Sequence, residues 1–231
     1  MKHPAPFTKT DSVVDLVSTD YDILPVLSRF SLPLGFGNKS IGELCVSSGI
    51  NPDVFLLVVN FLLSGEIDHT YLSCVTPLEV ATFLHNSHDY YLNYKFPHIR
   101  ANLVGALDPA HADVNPVIVK YFDDYIRQVE AHFHYEEKML FPYVRALHEG
   151  RETNCYKVDL FTRQHDHDVE GKLGELKNII LRYYSTSVPY KMYDALVDIY
   201  NCEEDLQKHA QIEDDILVPL LRERERKGRG R

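Results

Sequence analysis

One module occurs twice in this chain, and it limits what the chain can fold into. His132-x3-Glu136-Glu137-x-Met139-Leu140-x-Pro142 is echoed by His209-x3-Glu213-Asp214-x-Ile216-Leu217-x-Pro219. An α-helix turns once in about 3.6 residues, so the histidine and the first glutamate of each copy lie on one helix face. Two such helices facing each other bring two imidazoles and two carboxylates to one point. A histidine from each of two further helices turns that point into a metal site. His85-Asp89 and His148-Glu152 share the His-x3-acid spacing without the Leu-x-Pro flank, so the flank is what sets the two modules apart.

The rest of the chain supplies the other helices. Thr76, Pro77 and Glu79 form a capping box with proline at the first helical position, opening a helix that Asp108-Pro109 stops. Asn115-Pro116 opens a second, which ends near Gly150. A third is expected from near Asn154 to about Tyr184. Ser185 to Pro189 breaks it and caps a fourth that reaches about Arg222. Short loops make neighbouring helices antiparallel, so an all-α, up-down-up-down four-helix bundle follows. Before it, residues 1–74 read as a small helical domain. Asp15 to Leu27 is apolar at helical spacing, Ser40-x-x-Glu43 is a second capping box, and Asn51-Pro52 opens a run that Gly65 ends. The bundle is assigned to 75–222, and 223–231 to a disordered tail of alternating Arg and Glu followed by Gly.

At about 1.5 Å rise per residue, His88, His132, His167 and His209, one on each helix, fall within roughly 8 Å of one height. Glu136 and Glu213 lie one turn away. Pro97, Pro142 and Pro219 follow three of these histidines by nine or ten residues. A proline inside a helix costs about 3 kcal/mol and bends it, so the three mark a shaped bundle.

The proposed donors are all imidazole nitrogen and carboxylate oxygen. Structural zinc prefers thiolates or a closed set of four, and six donors exceed one zinc. Carboxylates able to bridge, with several imidazoles, suit two iron ions. Manganese or a mixed pair fits the same donors.

His165 and His167 point about 200° apart on a helix, so only one faces the core. The same argument puts His134 outside when His132 faces in. His85 shares a face with His88 and is a further candidate ligand, whereas His111 falls in a loop beyond Pro109. His3, His69, His98 and His148 read as surface residues. Tyr91, Tyr94, Tyr121 and Tyr125 read as core packing that can also line the site.

Composition excludes other classes. A net charge of -10 argues against generic nucleic-acid binding. Cys45, Cys74, Cys155 and Cys202 form no CxxC pair, which argues against a zinc ribbon or a disulfide framework and fits a reducing cytoplasm. No leader pattern is visible, and no apolar run approaches the roughly 18 residues of a membrane span.

These residues carry a resemblance. His88-Asp89, His132-x3-Glu136, His167-Asp168 and His209-x3-Glu213 resemble the hemerythrin-like, or HHE cation-binding, domain. Gly171 and Leu173 follow His167 as they do in that family, which selects His167 over His165. The first seventy or so residues, with Asp15-Leu16-Val17, a helix from Leu24 to Phe30 and Leu34-Gly35-Phe36-Gly37, resemble the N-terminal domain of the RIC family, di-iron proteins for repair of iron centres. That family usually has a Cys-Cys pair in this loop, where this chain has Leu34-Gly35. The resemblance implies a cytoplasmic non-haem di-iron protein in iron-centre repair or the response to nitric oxide or oxygen, with iron-sulfur proteins as partners. The alternatives are a di-iron sensor signalling through its N-terminal domain, and a bundle that binds oxygen or stores iron.

Overall fold

A computed structural model describes residues 6–151, 156–164 and 170–228. Among them the chain is all-α, with helices throughout and a single isolated bridge between Ser12 and Ser40. By contacts it divides into two compact units. The first is Met1–Ser87, Val144–Thr153 and Gln211–Arg231, and the second is His88–Tyr143 and Asn154–Ala210.

In the first unit, α1 (Val13–Thr19) starts at Ser12, whose hydroxyl accepts from the Val14 and Asp15 amides. The apolar stretch from Asp15 to Leu27 is not one helix. Asp20 is extended and its carboxylate accepts from the Asp22 amide, which ends α1 and starts a short 3-10 turn before α2 (Leu24–Arg29). Such local side-chain bonds compete with the helix ladder. Ser40 and Glu43 form the expected capping box of α3 (Ile41–Ser47). Asn51 caps α4 (Pro52–Ser64), and Gly65 ends it at φ 72°, a left-handed conformation that favours glycine. A short α5 (His69–Leu72) leads to the bundle helices. Phe30 stacks on Phe83 at 4.6 Å and meets Phe55 edge-on at 5.2 Å. Buried Asn60 holds the chain at Phe7, its carbonyl accepting from the Phe7 amide at 2.8 Å and its amide donating back at 2.9 Å.

The long helices come next. The first is α6 (Pro77–Tyr90) and α7 (Phe96–Ala106), the second α8 (Asn115–Tyr135) and α9 (Phe141–His148), and the fourth α12 (Pro189–Ile212) and α13 (Val218–Gly228). Each pair is joined without a break by a five-residue π turn, at Tyr91–Lys95, Glu136–Leu140 and Glu213–Leu217. The third is described as α10 (Val158–Gln164) and α11 (Glu170–Tyr183). In each π turn an amide reaches back five residues: Phe96 to Tyr91, Phe141 to Glu136, and Val218 to Glu213. The next residue is Pro97, Pro142 or Pro219. Proline has no N–H and crowds the carbonyl four residues back. The wider turn takes up that missing bond, so these three helices absorb their prolines as π turns, a device common at functional sites.

The bundle core of the second unit draws on all four helices. Ile118, Phe122, Tyr125, Val129 and Phe133 form one stripe of α8 at three- and four-residue steps. They pack with Tyr91, Phe96, Ile99 and Leu103 of the first helix, Leu173, Leu176 and Ile180 of the third, and Met192, Leu196 and Ile199 of the fourth. One end of this core is tied by polar bonds. Tyr184 donates to Asn115 Oδ1 at 2.7 Å and accepts from the Asp108 backbone amide at 2.6 Å. The Asp108 carboxylate accepts from the Ser187 amide, the Ala110 amide and the Ser187 hydroxyl, which hold its acidity at about 2.

The last helix runs past its expected end near Arg222, to Gly228. Residues 223–228 are its last turns. A Glu223–Lys227 pair at 2.7 Å, one turn apart, supports the added turn.

Candidate metal centre

Three of the long helices meet the site where their π turns begin. His88 sits near the end of α6, Glu136 and Glu213 each open a π turn, and His209 lies one turn before Glu213. His88 and His209 are 3% exposed, and Glu136 and Glu213 are 0% exposed. Each of the four offers a donor atom, and these atoms all lie within 4.8 Å of one another. Glu136 divides its oxygens: Oε2 is 3.1 Å from His88 Nε2, and Oε1 is 3.3 Å from His132 Nε2. His132 is half-buried and stands beside the group of four rather than in it.

Aromatic rings wall the site. The His88 imidazole stacks on Phe133 at 3.9 Å and 13°, and on Phe141 at 5.3 Å. Tyr91, fully buried, meets His209 edge-on at 5.8 Å, and Phe133 is 5.5 Å from the same ring. These rings exclude water and lower the local dielectric, which strengthens interactions among the charges inside.

The donor set fits a metal cation. Wholly buried carboxylates are costly unless paired or coordinating. His88 has a carboxylate on both edges: Nε2 faces Glu136 at 3.1 Å and Nδ1 faces Glu137 at 2.9 Å. A neutral imidazole has one N–H and one lone pair. If Nδ1 donates, the Nε2 lone pair confronts the Glu136 oxygen, and a cation between them removes the repulsion.

The family model of the hemerythrin HHE cation binding domain matches residues 82–221, more than half of the chain. The chain belongs to the hemerythrin HHE cation-binding family. All four clustered residues lie within the matched segment. No curated protein matches the chain.

Within the HHE segment the remaining histidines separate. His167 and its alternative His165 lie outside the described residues. His85 is exposed and is not one of the four, although it shares a helix face with His88. His134 is exposed, as the helical phase requires. His111 stays in its loop, with Nε2 2.7 Å from the Ser185 carbonyl. Of the tyrosines, Tyr91 lines the site, Tyr125 is core, Tyr94 is exposed and Tyr121 bonds Glu175 on the third helix. Glu137, which touches His88, and the π turns have no counterpart in the helical periodicity of the sequence. A signal for each was present: an acidic residue follows the glutamate in both modules, and a proline stands at a fixed distance after three candidate ligands.

Proposed function

We propose that this HHE domain holds a pair of iron ions, with His88, His132, Glu136, His167, His209 and Glu213 as protein ligands. The observation that carries the reading is Glu136, a fully buried carboxylate whose two oxygens face two different imidazoles. That is the disposition of a carboxylate that bridges. A donor set of nitrogen and oxygen without thiolate suits iron, and manganese or a mixed pair uses the same donors. Bound iron would supply reversible electron transfer and a coordination position for a diatomic gas such as nitric oxide or oxygen. The chain's part is to hold the imidazoles in fixed orientation, present two buried carboxylates to the ions, and exclude water with Phe133, Phe141 and Tyr91.

The function that follows is a cytoplasmic role in repairing iron centres, or in the response to nitric oxide or oxygen, with iron-sulfur proteins as partners. Among the described residues no helix is long and apolar enough to cross a membrane, which agrees with that placement. A second reading, a sensor that signals through its N-terminal helices, is favoured by the loop after α2. Leu34 there is 79% exposed and no cysteine is near it in sequence, so repair chemistry that needs loop thiols has none at that position. Repair is tested by adding metal-loaded protein to an iron-sulfur enzyme inactivated by nitric oxide. Recovery well above that given by Glu213→Ala supports repair. Equal recovery by the two proteins refutes repair and leaves the sensor reading.

A further inference from the structure

We propose that Glu137 is a positioning residue for His88: it accepts the Nδ1–H, fixes which nitrogen faces the metal, and strengthens that nitrogen as a donor. The inference rests on the metal reading above.

Three residues of one helical run lock a single ring. Phe133 lies under the His88 imidazole, stacked at 3.9 Å and 13°, so rotation of the ring out of its plane is blocked. Glu136 meets one edge at Nε2, 3.1 Å away, and Glu137 the opposite edge at Nδ1, 2.9 Å away. Consecutive residues of a helix diverge by about 100°, so two adjacent carboxylates reach one ring only when it sits between them. That occurs where the π turn Glu136–Leu140 begins. The two carboxylates differ in setting. Glu136 is 0% exposed, whereas the Glu137 side chain is 33% exposed. Glu137 therefore keeps its charge partly in water while its oxygen acts on a buried imidazole. An Nδ1–H held by a carboxylate leaves the Nε2 lone pair aimed at the cluster and makes the imidazole more basic, a partner that metal-ligating histidines commonly have. A more basic nitrogen favours the more highly charged, oxidised ion.

The test compares wild type, Glu137→Ala, Glu137→Gln and, as a control on the same helix, exposed Glu130→Gln, all as full chains loaded with ferrous iron. Iron affinity is measured by competition with a chelator, and the midpoint potential by a spectroscopic redox titration. Melting of the metal-free proteins shows that all four fold. Glu137→Ala should weaken iron binding about 10–100-fold. Glu137→Gln should recover most of that affinity, because its amide carbonyl still accepts the Nδ1–H. Its midpoint should nevertheless rise, because the negative charge is gone. A tenfold loss of preference for the oxidised ion reads as about 59 mV for one electron. Iron-loaded wild type with both variants unchanged in affinity and midpoint overturns this inference alone. Equal affinity losses in Ala and Gln with an unmoved midpoint also overturn it, because they describe packing. Failure of wild type itself to bind iron overturns this inference and the metal reading together.

Discussion

Glu136→Gln should change the protein in opposite directions with and without metal. Glu136 is 0% exposed, 3.1 Å from His88 Nε2 and 3.3 Å from His132 Nε2. The amide is nearly the same size, so no cavity forms, but the charge that two imidazoles face is gone. Without metal, removing a buried carboxylate relieves a desolvation cost, and the variant should melt at or above wild type. With metal, a lost ligand should cost at least the upper end of what lost supporting contacts cost, about 100-fold in affinity. At free metal about 1,000 times the wild-type Kd, binding stabilises wild type by about 4.1 kcal/mol. At the same metal concentration the variant keeps about 1.4 kcal/mol, a deficit of about 2.7 kcal/mol. For a chain of this length each kcal/mol moves Tm by about 2–4 °C. The metal-induced rise in Tm should therefore be smaller by about 5–11 °C in the variant. Calorimetry of both proteins with and without ferrous iron reads all four values. An equal metal-induced rise in the two proteins would refute the assignment of Glu136 as a ligand.

Three further outcomes follow from the same geometry. Pro142→Ala restores the missing N–H and permits a regular helix across Glu136–Leu140, so the metal-free protein should be no less stable while iron content falls; unchanged iron content by elemental analysis would show that the π turn does not shape the site. The Asp108 carboxyl, held at about 2 by its bonds to Ser187 and Ala110, lies below its unfolded value, so its contribution is complete above about pH 4 and disappears as pH falls through 2. Asp108→Asn should thus lower Tm at pH 6 and converge on wild type near pH 2, and a Tm difference that persists undiminished at pH 2 contradicts this. Cys74 is exposed, whereas Cys45 is buried and its thiol is pushed up to about 12 by burial, so iodoacetamide at pH 8 should label Cys74 and spare Cys45 and buried Cys202 until the protein unfolds, as peptide mass mapping will show.

Much of this was legible in the sequence because helices repeat locally. Thr76-x-x-Glu79 and Ser40-x-x-Glu43 marked helix starts, and both boxes form. The two His-x3-Glu modules placed His209 beside Glu213, and the height argument brought His88 to Glu136 across helices. What escaped the sequence depended on phase and neighbours. The π turns insert extra backbone into a helix, and no periodicity read at 3.6 residues reveals them; the prolines just beyond each turn are the signal they leave in the sequence. Glu137 acquires its role from His88, forty-nine positions away, which no local pattern encodes. Within the apolar run from Asp15 to Leu27, Asp20 marks the break between α1 and the next turn, its own carboxylate accepting from the Asp22 amide. At the other end, the Arg/Glu alternation read as tail carries the Glu223–Lys227 pair that extends the last helix.

The pair of iron ions proposed at His88, Glu136, His209 and Glu213 can be counted. Elemental analysis of protein purified from iron-rich medium, set against the same analysis of Glu213→Ala, tests the proposal most directly. The account predicts close to two iron ions per wild-type chain and a large loss in Glu213→Ala. One tightly held zinc per chain without iron, or the same iron content in both proteins, would contradict it.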